Sequence, residues 1–132
     1  MKTAKSISTT DTTSKAKYAN ETALTAVILG YFKYSEIVHL FRCNSGLARQ
    51  IFGNGFIHLA PKGTPDIIGF DKRTGAFIGI ETKNAKGKKG KLRPEQAAFA
   101  KMLRGTENGI YILARSLDDV LDVIEPRPPL PF

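Results

Sequence analysis

The chain reads as an α/β domain, a mixed β-sheet flanked by helices in the order α-β-β-β-α-β-α. Three observations predict this. The runs "DIIGF" and "AFIGIET" have strand length, lie on either side of the turn "DKRTG", and are apolar on both alternating faces, as in strands covered on both sides. The run "GIYILAR", also strand-like, stands between two segments that open on helix-start signals. Before all of these, an apolar pattern at helical spacing precedes the β-branched and aromatic run "EIVHLFRC".

The elements follow in order. Asn20 is placed to cap a helix starting at Glu21, in which Ala23, Leu24, Val27, Ile28, Tyr31 and Phe32 recur at helical spacing. A strand is expected from about Ile37 to Cys43, and "NSG" at 44–46 is a turn. "LARQIFGNG" fits either a helical turn or a loop, "FIHLA" fits a short strand or an extended loop, and "PKGTP" is a loop. "DIIGF" and "AFIGIET" form a hairpin. Pro94 suits the first position of a helix running to about Leu103, which Gly105 ends. After the strand "GIYILAR", "SLDD" resembles a capping box opening a last helix from Leu117 to about Ile124. Residues 1–19 read as a flexible basic tail, 20–125 as one domain, and 126–132 as a Pro-rich tail.

Composition narrows the function classes. With 42% hydrophobic and 24% charged residues the chain is ordinary for a soluble globular protein. No run approaches the roughly 18 to 20 apolar residues of a membrane span, and the N-terminus lacks the apolar core of a secretory signal. The single cysteine, Cys43, excludes an intramolecular disulfide and a thiolate zinc cluster, so an intracellular, cytoplasmic location is expected. Cys43 itself reads as a small buried strand residue. The net charge is +8. Lys83, Lys86, Lys88, Lys89, Lys91 and Arg93 follow one another without an intervening acid on a Gly-rich stretch, which suits a polyanion as well as a solvated surface.

The position of that stretch favours the first use. Strand side chains alternate, so Glu81 and Lys83 project to one side. A hairpin centred near residue 73 or 74 sets Asp66 opposite Glu81. Two carboxylates and an ammonium then converge at one end of the sheet. Adjacent carboxylates repel unless a cation lies between them, and oxygen ligands of this kind suit Mg²⁺ or Mn²⁺. Taken singly, Asp66 after Pro65 fits turn chemistry, and Glu81 with Lys83 fits an exposed ion pair of about 0 to 1 kcal/mol. It is the combination of "PD", the hairpin's length, "ExK" and a basic stretch that points to phosphodiester chemistry.

"GTPDIIGF", "FIGIETK" and "GKLRPEQAAF" resemble the motifs of the PD-(D/E)xK nuclease superfamily, and in particular the VRR-NUC family of replication and repair nucleases. The resemblance runs from about Glu21 to Ile124 and implies a restriction-endonuclease-like core. It further implies that Asp66 and Glu81 bind metal, that Lys83 is the catalytic lysine, and that Thr82 offers its backbone carbonyl to the metal. Gln96 would support the site, Glu21 would act on the metal directly or through water, and Arg42 and Asn44 of "FRCNSG" would lie near the cleft. Glu21 also fits a helix N-terminus for its charge alone, Gln96 fits helix-start chemistry, and Asn44 fits a turn. His39 and His58 read as structural. Thr82 departs from the pattern, because many members carry an aliphatic residue there; a backbone ligand tolerates the change.

The activity implied is a Mg²⁺- or Mn²⁺-dependent DNA endonuclease. Its Lys86, Lys88, Lys89, Lys91 and Arg93 grip phosphates, contacts that position the substrate without reading its sequence. Small members of the family resemble phage and bacterial nucleases that act as homodimers on branched DNA, so the partners expected are branched or duplex DNA and a second copy, with no membrane. The alternative is a non-catalytic nucleic-acid-binding module on the same fold, which divalent-ion binding would distinguish.

Overall fold

A computed structural model describes residues 20–44, 47–49, 53, 55–83 and 91–125. The expected tails, and Lys86, Lys88 and Lys89, lie outside the described residues. The elements are α1 (Glu21–Tyr31), β1 (Val38–Arg42), β2 (Leu47–Arg49), β3 (Phe56–His58), β4 (Ile67–Asp71), β5 (Phe77–Thr82), α2 (Pro94–Arg104), β6 (Ile110–Ala114) and α3 (Leu117–Ile124). Strands β1, β4, β5 and β6 form a mixed sheet in that spatial order, and β2 pairs with β3 in a separate ribbon. The fold is thus α/β, a mixed sheet flanked by helices. Among the described residues no helix is long and apolar enough to cross a membrane.

The caps are local and fall where the sequence sets them. The Asn20 side chain accepts from the Ala23 N–H at 2.8 Å, and Ser116 caps α3 through the Asp119 N–H. Pro94 opens α2 and Gly105 closes it. The ambiguous "LARQIFGNG" contributes the strand β2, paired across to β3.

Register fixes what shares a face. Ile67 pairs with Ile80 antiparallel, so the next rung out sets Asp66 against Glu81. The turn between these strands is tied by Asp71, whose carboxylate accepts from the Arg73 backbone N–H at 2.7 Å and from its guanidinium at 2.9 and 3.2 Å. That guanidinium holds the Asp71 carboxyl down to about 2. Strand β6 then runs parallel to β5, with Ile80 beside Ile112 and Thr82 beside Ala114.

One face of the sheet carries Val38, Ile67, Ile78, Ile80, Ile112 and Ala114, and buries them against Leu24, Ile28 and Phe32 of α1 and Val120 and Ile124 of α3. This is the main core. On the opposite face, Tyr111 packs against Ala100 and Leu103 of α2. That second cover is partial. Phe41, Phe70 and Phe77 remain 41 to 47% exposed, so the expectation that "DIIGF" and "AFIGI" are covered on both sides fails at β4 and at the start of β5. The reason is that α2 lies chiefly over β6.

Candidate active site

The candidate site lies where the two strands of the β4–β5 hairpin end, so that helices from both faces of the sheet reach it. Asp66 precedes β4, and its backbone carbonyl accepts the Cys43 N–H at 2.7 Å, which extends the β1 pairing by one residue. Its Oδ2 accepts two hydrogen bonds from one residue, the Thr82 N–H and the Thr82 hydroxyl, each at 2.9 Å. Pro65 stands opposite Thr82 on the next rung and has no N–H to continue the ladder. The Asp66 carboxylate takes over there as the partner of β5.

Glu81 is 3% exposed. Its Oε2 accepts from the Gln96 amide at 3.0 Å, while its Oε1 is buried with no hydrogen-bond partner. Gln96 serves two ends at once. Its carbonyl oxygen accepts from the Arg93 N–H at 2.8 Å, closing the first turn of α2, and its NH₂ holds Glu81. Burial pushes the Glu81 carboxyl up to about 8, and Asp66 beside it adds to the rise, by its negative charge and by a hydrogen bond to the protonated Glu81 carboxyl. The Lys83 ammonium works against both, and Glu21 adds a smaller push upward.

Lys83 is 5% exposed, and its N–H donates to the Ala114 carbonyl at 2.9 Å, which carries the β5–β6 pairing past the end of the strand. The two salt bridges found among the described residues, Arg73–Asp71 and Arg93–Glu95, do not involve it. Asp66, Glu81, Lys83 and Gln96 line one cleft of about 360 Å³ with Glu21, Lys62, Gly63, Thr64, Lys91 and Arg93. The cleft therefore has an acidic floor and a basic rim. Among the described residues, no three His, Cys, Asp or Glu side chains are gathered into a ready metal cage. Glu21 lines the cleft without joining the Asp66–Glu81 pair in one.

The sequence-expected residues divide as follows. Asp66, Glu81, Lys83, Gln96, Glu21, Lys91 and Arg93 come together. Thr82 is fully buried behind them. Arg93 is also engaged by Glu95 at 3.2 Å, an exposed pair that a phosphate can displace at little cost. Arg42 and Asn44 flank the Cys43–Asp66 contact but do not line the cleft. Arg42 lines a separate groove with Phe41 and Lys72, and the Asn44 carbonyl accepts the Ala60 N–H. His39 sits among aromatic rings, 5.8 Å from Phe41 and 5.5 Å from Phe70 between ring centres. The His58 side chain lies outside the described residues. Cys43 is half-buried, its thiol pushed up by burial and by Asp66.

Sequence reasoning missed Lys62 and Thr25. Lys62 is carried to the rim by the turn at Gly63, whose φ of +95° favours glycine and whose missing side chain lets it lie against the Glu95 carbonyl. Its signal was a lysine inside "PKGTP", the loop that leads into Asp66. Thr25 follows Glu21 by one helical turn, on the same side of α1. Compared with known proteins, the chain matches no family model, no curated protein and no solved structure.

Proposed function

We propose that the protein is a divalent-cation-dependent DNA endonuclease built on a restriction-endonuclease-like core. One observation carries the reading. Two carboxylates meet in a cleft, each pinned through a single oxygen, and one of the other oxygens, Glu81 Oε1, is buried with no partner. A buried, unpartnered carboxylate oxygen is costly unless a cation or proton meets it. Asp66 and Glu81 fit a hard cation through oxygen ligands, with the Thr82 carbonyl as a further ligand and Glu21 acting on the ion directly or through water. Such an ion, when bound, supplies Lewis-acid polarisation of a phosphoryl oxygen and a lowered pKa for an attacking water.

The chain's own residues supply the rest. Lys83 orients the water or stabilises the charge that develops on the phosphate. Gln96 keeps the Glu81 carboxylate turned toward the cleft. Lys62, Lys91 and Arg93 on the rim hold the neighbouring phosphates, joined by Lys86, Lys88 and Lys89. Contacts of this kind grip the backbone without reading bases, which favours cleavage selected by DNA structure. A domain of this size offers little surface for a duplex, and pairing of two copies would double it.

The test is cleavage of duplex, flap, single-stranded and four-way-junction DNA with Mg²⁺ or Mn²⁺. Cutting of at least one substrate is expected, abolished by Asp66→Asn. DNA binding without cutting under either ion would leave only the non-catalytic module.

A further inference from the structure

We propose that Thr25 and Thr82 act as a positioning pair that presents Asp66 to the cation, an inference that rests on the nuclease reading above. Thr82 occupies the place between Glu81 and Lys83, and its side chain points to the opposite face of the sheet from theirs. There it lies on the face that carries Ile80 and Ala114, toward Leu24 and Ile28 of α1. Two hydroxyls are buried beside this apolar layer, Thr25 at 2% and Thr82 at 0% exposure. Buried hydroxyls are costly unless bonded.

Both are bonded, in one chain. The Thr25 hydroxyl reaches the Glu21 carbonyl at 2.9 Å, the two threonine oxygens stand 3.0 Å apart, and the Thr82 hydroxyl reaches Asp66 Oδ2 at 2.9 Å. Two hydroxyl protons serve these three contacts. Asp66 Oδ2 accepts the Thr82 proton, as the carboxylate's charge favours, and Thr25 donates either to the Thr82 oxygen or to the Glu21 carbonyl. The consequence is geometric. Asp66 Oδ2 is held by Thr82 through main chain and side chain together, which leaves Oδ1 as the ligand atom. The same chain ties the site to the first turn of α1, which carries Glu21. Gln96 performs the equivalent task for Glu81 from the other face of the sheet.

A double-mutant cycle with the whole chain tests this. Thr25→Val, Thr82→Val, the double variant, Thr25→Ser and Thr82→Ser are compared by calorimetric titration with Mn²⁺ alone and by single-turnover DNA cleavage, with thermal melting as the check on folding. Thr82→Val should weaken Mn²⁺ binding about 10-fold and Thr25→Val about 3-fold, with the double variant no worse than Thr82→Val, and the serine variants should recover most of the loss. Wild-type Mn²⁺ affinity in folded valine variants, or additive losses, would overturn the positioning pair and leave the nuclease reading standing. A wild-type protein that neither binds Mn²⁺ nor cleaves would overturn that reading, and the pair's role with it.

Discussion

Glu81 is a carboxyl group held at the edge of ionisation. Its folded value of about 8 stands above the ordinary 4.5, so between those limits the folded chain binds a proton that the unfolded chain has released. Stability of the cation-free protein should therefore fall as pH rises from about 4.5 through about 8. Glu81→Gln should flatten that fall in chemical-denaturation curves and raise stability at pH 8 by roughly 1 to 3 kcal/mol. The same variant should lose cleavage. An unchanged pH profile would mean that Glu81 is not buried as an acid. Lys83→Ala should slow single-turnover cleavage about 100-fold, roughly 3 kcal/mol of transition-state stabilisation, with a much smaller loss of DNA affinity because the other basic residues remain. Lys83→Arg should not restore the rate, since a planar guanidinium does not replace a compact ammonium. Weakened binding with an intact rate would move Lys83 to the phosphate-gripping set.

At the scale of elements, the β4–β5 hairpin is the device that makes the site, and Gly79 shows how closely it is built. Pro65 packs over Gly79, and a side chain there would meet the proline ring at 2.9 Å. Gly79→Ala should push away Pro65, and Asp66 with it, costing roughly 1 to 3 kcal/mol and lowering cleavage more than Ala76→Gly, a change that lies beside the far turn. Equal effects of the two variants would separate the hairpin's packing from its chemistry. Much of this element was legible, because the turn "DKRTG" and two apolar runs of fixed length determine a register, and that register puts Asp66 opposite Glu81. The caps at Asn20, Pro94 and Ser116 were legible for the same reason, being set by neighbours in the chain. The strand β2 was not, because three residues are too few to show a period. The exposure of Phe70 and Phe77 was hidden too, since apolar runs do not say how far a helix will reach across them. For Gln96 the sequence offered two uses, helix start and site, and the amide has one end for each. The Thr25–Thr82 contact joins residues 57 apart, and no local pattern announces it.

Over the whole molecule the net charge is +8, and among the described residues Lys62, Lys91 and Arg93 stand at the cleft that Asp66, Glu81 and Glu21 also line. Replacing Lys86, Lys88, Lys89 and Lys91 with Ala should weaken DNA binding across all sequences and flatten its log–log salt dependence by up to about 0.9 for each phosphate that is no longer neutralised. An unaltered slope would make the stretch a solvated surface. The nuclease reading stands or falls with the carboxylate floor holding a divalent cation for phosphodiester cleavage. The decisive experiment is single-turnover cleavage at saturating protein, measured in Mg²⁺ and in EDTA, for the wild type and for Asp66→Asn. Cleavage is expected for the wild type with Mg²⁺ and in none of the other three reactions. Cutting that survives EDTA, or that persists at the wild-type rate without the Asp66 carboxylate, would contradict the role given to the cation.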